Sequence, residues 1–195
     1  MGQNAILTRD NMKKRFWPGN PCCSFYNQLE PPSHLLFLCP VSTVVWRTVW
    51  ALLGTDSCPN SIWQYYTWIY SFLPGFEKIY TVGLAAICWA IWLARKRATL
   101  ECKWINSPFE IVFTACAFLM YWAGLQKPEL EEIVKKGAEM LKENTTHMIL
   151  LCGPPAPNID GRDWSWRWMT VCARHRLLGY AAGALHLERC FSSFW

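Results

Sequence analysis

The stretch PCCSFYNQLEPPSHLLFLCP gathers Cys22, Cys23, His34 and Cys39 within eighteen positions. Thiolates and imidazole are the side chains that hold a structural zinc ion, which needs four such ligands in a tetrahedron, supplied as two tight pairs around a short loop. His34 and Cys39, with four residues between them, make a workable pair. The other pair is incomplete, because the third residue after Cys23 is Tyr26. A phenol with a pKa near 10 is a poor zinc ligand at neutral pH. Cys22 is the only nearby substitute, and adjacent cysteines strain the chelate turn. The residues leave two alternatives open, a zinc module completed by Cys22 and a folded module whose metal is weak or lost. A second set, Cys172, His175, His186 and Cys190, also has ligand-like spacing, but its surroundings lack the hydrophobic periodicity that would frame a finger, and a Cys-rich chain produces such spacings by chance.

Three groups place basic residues beside aromatic ones: Arg9, Lys13, Lys14 and Arg15 with Phe16 and Trp17; Arg95, Lys96 and Arg97 with Trp92; and Arg162, Arg167, Arg174 and Arg176 around Trp164, Trp166 and Trp168. Such groups can pair phosphates and stack bases. The second is read more simply as solvated charge at a helix end. The first adjoins the metal-like cluster, so Lys13, Lys14, Arg15 and Trp17 are the candidate nucleic-acid contacts. A net charge of +5 agrees with an anionic partner without requiring one. Catalysis finds no support. The chain has four aspartates, none in the Tyr-x-Asp-Asp arrangement of a polymerase, and it lacks a P-loop, a Gly-rich dinucleotide motif, G-x-S-x-G and H-E-x-x-H. A non-enzyme is expected.

Around these residues the chain resembles the zinc-binding region that lies C-terminal to the reverse transcriptase in plant non-LTR (LINE-type) retrotransposons. The resemblance rests on Leu7-Thr8-Arg9-Asp10-Asn11, then Cys23, His34, Cys39 and Pro40, then Trp46, and it covers residues 6 to 50. Tyr26 stands where that family has a second cysteine, and Phe37 falls one place late. The resemblance implies a zinc site at Cys23, His34 and Cys39, and a role in holding template RNA or target DNA. The Trp-rich helices to about His147 are similar to the segment C-terminal to that region in such elements, and the tail is not.

The elements that must position the cluster can be read from periodicity and punctuation. Hydrophobic residues make up 52% of the chain, enough for a core and too many for disorder, and charged residues only 17%. Residues 1–40, with Pro18, Gly19, Pro21, Pro31 and Pro32, read as loop. Val41, Val44, Val45, Val49 and Leu52 recur at helical spacing before a stop at Gly54. Ser61 to Leu73 reads as a helix between a Ser cap and Pro74-Gly75, and a long helix runs from about Phe76 to near Lys103. Ser107, Pro108 and Glu110 open another as a capping box. After Pro128, Glu131 with Lys135 and Glu132 with Lys136 mark a solvent-facing helix with a thin stripe of Ile133, Val134, Met140 and Leu141. Trp46, Trp50, Trp89, Trp92 and Trp122 read as core.

The expected architecture is mainly α: a small loop-rich zinc-knuckle-like module at residues 1–55, an antiparallel helical bundle at 56–147, and a Pro/Gly linker with a weakly structured Arg/Trp-rich tail at 148–195. Ile79 to Ala94 and Ile111 to Leu125 would reach roughly 24 Å and 22 Å as helices, short of a hydrocarbon core of about 30 Å, so a membrane hairpin is the minority reading. No apolar run stands behind a basic flank near Met1, so no signal peptide is expected, the location is expected to be nuclear or cytoplasmic, and the cysteines reduced. The Asn144–Thr146 sequon then reads as chance. The functional expectation is a non-catalytic remnant of a retrotransposon polyprotein that binds zinc and RNA or DNA. Its rival is a metal-free helical bundle that takes a partner protein, or a second copy, on its aromatic helices.

Overall fold

The computed structural model describes residues 6–54, 58–72 and 74–152. Among these described residues six α-helices and one wide π-type turn succeed one another: α1 (Arg9–Lys14), the turn His34–Leu38, α2 (Pro40–Leu52), α3 (Ile62–Phe72), α4 (Glu77–Leu100), α5 (Pro108–Ala123) and α6 (Pro128–Cys152). Among the described residues there is no strand beyond one isolated antiparallel bridge, Cys22 to Leu29. The mainly helical expectation holds.

The boundaries are set by the expected chemistry. Gly54 takes φ +71° just past α2, the left-handed position that a side chain resists. The Gln64 N–H donates to Ser61 Oγ at 3.2 Å to open α3. At α5 the Phe109 N–H donates to Ser107 Oγ at 3.2 Å, while Glu110 Oε1 reaches back one residue further than a standard box and accepts from the Asn106 N–H at 3.0 Å. Short connections make α4, α5 and α6 antiparallel neighbours, α5 packing between the other two.

The core is continuous across the expected module boundary. Val45, Trp46, Ile69, Ile87, Ile91, Ile111, Val112 and Ala115 pack in one cluster with Cys23, Leu35, Phe37 and Cys39. Trp46 is fully buried, stacks on Phe37 with centroids 5.5 Å apart, and donates its indole N–H to the Leu36 carbonyl at 2.7 Å. One side chain of α2 therefore joins the turn bearing His34 to the helices. α6 is tied to α2 as well, since the Asn144 side-chain amide donates to the Thr48 carbonyl at 3.1 Å, the structural use of the sequon's asparagine.

Four expectations need correction. Residues 1–40 are not all loop: Thr8 Oγ1 accepts from the Asn11 N–H at 3.3 Å and starts the short α1. Helix α6 continues through 148–152, where the composition suggests a linker, because the Pro/Gly run that can break it begins only at Gly153. Trp89 points outward, 47% exposed, its ring tilted 33° against that of Trp92 with centroids 5.0 Å apart. The core face of α4 is instead made of small and branched residues, Ala86, Ile87, Ala90, Ile91 and Ala94, which let α5 approach closely. Finally, α4 has 24 residues, so by length and composition it is long and apolar enough to cross a membrane. The apolar stretch Ile79 to Ala94 is only its middle. Residues 153–195, with the second Cys/His set and the Arg/Trp-rich tail, lie outside the described residues.

Candidate metal centre

Two stretches of backbone bring the ligands together. The bridge at Cys22 and Leu29 folds residues 21–30 back on themselves, with the Cys23 N–H donating to the Gln28 carbonyl at 2.7 Å and the Glu30 N–H to the Pro21 carbonyl at 3.2 Å. After Cys23 the chain turns so that the backbone N–H groups of Phe25 and Tyr26 donate to its sulfur. Cys39 is the N-cap of α2, its side chain making no cap hydrogen bond, and the nearby backbone N–H groups of Val41 and Ser42 favour charge on its sulfur. Pro40 at the first helical position costs nothing there, since that N–H has no partner inside a helix. The wide turn closes with the Cys39 N–H donating to the His34 carbonyl at 2.7 Å.

The donor atoms of Cys23, His34 and Cys39 all lie within 4.8 Å of one another, and the residues are only 4%, 5% and 1% exposed. The two sulfurs are 3.8 Å apart, too far for a disulfide and equal to the separation of about 3.8 Å that two bonds of about 2.3 Å make in a tetrahedral zinc site. His34 Nε2 is buried without a hydrogen-bond partner. A buried polar atom left unpaired is costly unless something binds it. The donor set and its spacing fit a zinc ion.

The site is built to carry negative charge on one sulfur. The hydrogen bond with Cys39 lowers the Cys23 thiol to about 4 against the opposing effect of burial, helped by His34 and the two backbone donors. Cys39 moves the other way, well above the ordinary range, because it holds the proton the pair shares. Behind the sulfurs lies a second buried pair. Arg95 Nε stands 2.9 Å from Glu30 Oε1, both side chains almost fully buried. Glu30 Oε1 also accepts from the Arg9 N–H at 2.9 Å, and the Arg95 guanidinium donates to the Leu7 carbonyl. Burial raises the Glu30 carboxyl, Arg95 pulling it back, while the charge of Cys23 raises it further. Arg95 is thus the cation that offsets both the carboxylate and the thiolate.

Cys22 does not join the group. It sits beside Cys23 in extended, bridged backbone, where successive side chains point to opposite faces. Its carbonyl accepts from Arg9 Nη1 at 2.6 Å and its N–H donates to Asn20 Oδ1 at 2.9 Å. Tyr26 is half-buried and its side chain packs against the core. The converging set among the described residues therefore has three members.

Of the candidate nucleic-acid contacts, Lys13, Lys14 and Arg15 are exposed at the end of α1. Lys14 pairs with Asp10 at 2.7 Å. Trp17 is half-buried, with the Arg9 guanidinium 6.0 Å from its ring centroid and Gly19 pressed so close that a β-carbon would lie 2.0 Å from the ring. The reading of Arg95 as solvated helix-end charge is overturned by its burial against Glu30. A signal for this exists in the sequence, because Arg95 continues the stripe of Ile87, Ile91 and Ala94. Nothing in the residue types marks Glu30 as its partner.

A helical fold whose N-terminal Cys and His side chains converge on a small, buried Cys2His cluster is compatible with a metal-binding class of protein. Comparison with known families makes it particular: residues 1–46 match the family described as zinc-binding in reverse transcriptase. That segment is similar to a reverse transcriptase zinc-binding domain, and it contains all three converging residues. No curated protein and no solved structure matches the chain.

Proposed function

We propose that the chain holds one zinc ion through Cys23, His34 and Cys39 and uses the basic surface beside it to bind RNA or DNA in the service of a reverse transcriptase, performing no catalytic step itself. The convergence of three buried donors, with sulfurs 3.8 Å apart, carries this reading. Bound zinc would supply a structural cross-link and a charge that stabilises the thiolates. The protein's own groups do the rest. Backbone N–H groups at Phe25 and Tyr26 serve the Cys23 sulfur, and the Glu30–Arg95 pair holds residues 21–30 against α4. Lys13, Lys14 and Arg15 then meet phosphate from the exposed end of α1. The same family relation supports a retrotransposon origin.

The test is binding of the full chain to a labelled single-stranded oligonucleotide over a range of salt concentrations. Phosphate contacts make affinity fall steeply with salt, by a slope of about 0.7 per contact on a logarithmic plot. The Lys13→Ala/Lys14→Ala/Arg15→Ala variant is expected to lose about two units of slope. Unchanged affinity in that variant overturns the contact assignment, and affinity that ignores salt favours the interaction-bundle reading.

A further inference from the structure

The connection from α4 to α5 folds over the flank of the metal centre. The N–H groups of Glu101 and Lys103 both donate to the Arg97 carbonyl, at 3.0 and 3.1 Å, with Cys102 between them at φ +52°. This sharp reversal sets Trp104 against Phe25 of the Cys23 turn, ring centroids 6.0 Å apart and planes at 78°. Such an edge contact engages one ring by its rim, and Trp104 remains 55% exposed. Between the reversal, α4 and the start of α5 lies a cavity of about 390 Å³, its walls including Leu93, Arg97, Lys103, Trp104, Ile105 and Glu110.

We propose that this cavity receives one nucleotide unit of a single strand, the base stacked on Trp104 and the phosphate held by Arg97 with Lys103. The inference rests on the nucleic-acid reading above and places a second contact outside the matched segment. Three observations carry it. The volume falls in the range of small-ligand sites, roughly 300–1,000 Å³. A half-exposed indole offers a π-face that accepts any base. Among the described residues the exposed Arg97 guanidinium makes no ion pair or hydrogen bond, whereas the acidic groups of the wall are engaged: Glu110 Oε1 by the Asn106 N–H at 3.0 Å, and Glu101 by Lys103 at 3.5 Å and Lys96 at 3.8 Å. A simple anion would leave the indole uncovered, and a wholly apolar ligand would bury the cations. A planar base joined to one phosphate suits both the indole and Arg97.

The experiment measures anisotropy of a fluorescein-labelled oligouridine of about twelve nucleotides with the full chain, unsubstituted and as Trp104→Ala, Trp104→Phe and Arg97→Ala. Trp104→Ala is expected to weaken binding about tenfold, with Trp104→Phe keeping most of the affinity. Arg97→Ala, at an exposed position that leaves the fold alone, is expected to lower the salt slope by about 0.7. If Trp104→Ala and Arg97→Ala both bind as the unsubstituted chain does, while the Lys13, Lys14 and Arg15 variant does not, this inference falls and the proposed function stands. Failure of the unsubstituted chain to bind overturns both.

Discussion

The metal-ligand region and the α4–α6 bundle are held by different forces, although they share a core. In the bundle, Ala86, Ala90 and Ala94 of α4 and Ala115, Leu119 and Ala123 of α5 are buried. That region is held by apolar area and close packing, which respond little to pH or chelators. In residues 6–39 the same space holds Cys23, Glu30, His34 and, reaching in from α4, Arg95, all nearly inaccessible. Buried charges there must be matched, so removing one member costs more than the pair itself contributes. The contrast teaches that the N-terminal region should be the conditional half of the molecule, dependent on metal and protonation, folded onto an unconditional one.

The strongest break of this comparison comes from the residue that belongs to both halves. Trp46→Ala deletes the stacking on Phe37 and the bond to Leu36, and should cost about 3–5 kcal/mol in urea unfolding. Arg95→Ala should cost about 3–5 kcal/mol, because it leaves Glu30 buried and unpaired, and the double variant Glu30→Leu/Arg95→Met should recover most of that loss. If the double variant is no better than the single one, the pair is not the latch assigned here.

A third prediction concerns pH in the metal-free chain. The Cys23 thiol is lowered to about 4 from an ordinary value near 9. Between those values the folded chain has released a proton that the unfolded chain still holds, so stability rises with pH and is lost as pH falls through about 4. Glu30, raised by burial, contributes in the opposite sense just above the ordinary carboxylate range. The urea midpoint should therefore climb from mildly acidic to neutral pH, and Cys23→Ser should flatten the climb. A flat profile in the unsubstituted chain contradicts the charged-sulfur assignment. The smallest effect belongs to the outer face of α6, where Glu131→Ala removes the 2.6 Å pair with Lys135 and should change stability by less than about 0.5 kcal/mol.

The helices are legible in the sequence because their boundary signals are local. Ser61, Ser107 and Gly54 act on backbone groups a few residues away, and each does in the fold what its type implies. The convergence of Cys23, His34 and Cys39 is legible for a related reason, since thiol and imidazole at that spacing have few other uses. The features that escape the sequence depend on partners distant along the chain. Arg95 meets Glu30 across sixty-five positions, Trp104 meets Phe25 across seventy-nine, and no periodicity reports such pairs. Trp89 misleads for a different reason: it is apolar enough for a core, but a face already filled by alanines has no room for an indole. Tyr26 lies between these cases, because its type announces the missing ligand while its backbone N–H still serves the Cys23 sulfur. Tyr26→Cys should therefore tighten zinc binding without disturbing the helices.

The central claim is that Cys23, His34 and Cys39 hold a metal ion. It is tested most directly by expressing the full chain in zinc-containing medium, dialysing it, and measuring metal per chain by elemental analysis beside a Cys39→Ser control. The account predicts about one zinc per chain, lost in the control. A helical, monomeric product that carries no zinc would contradict it.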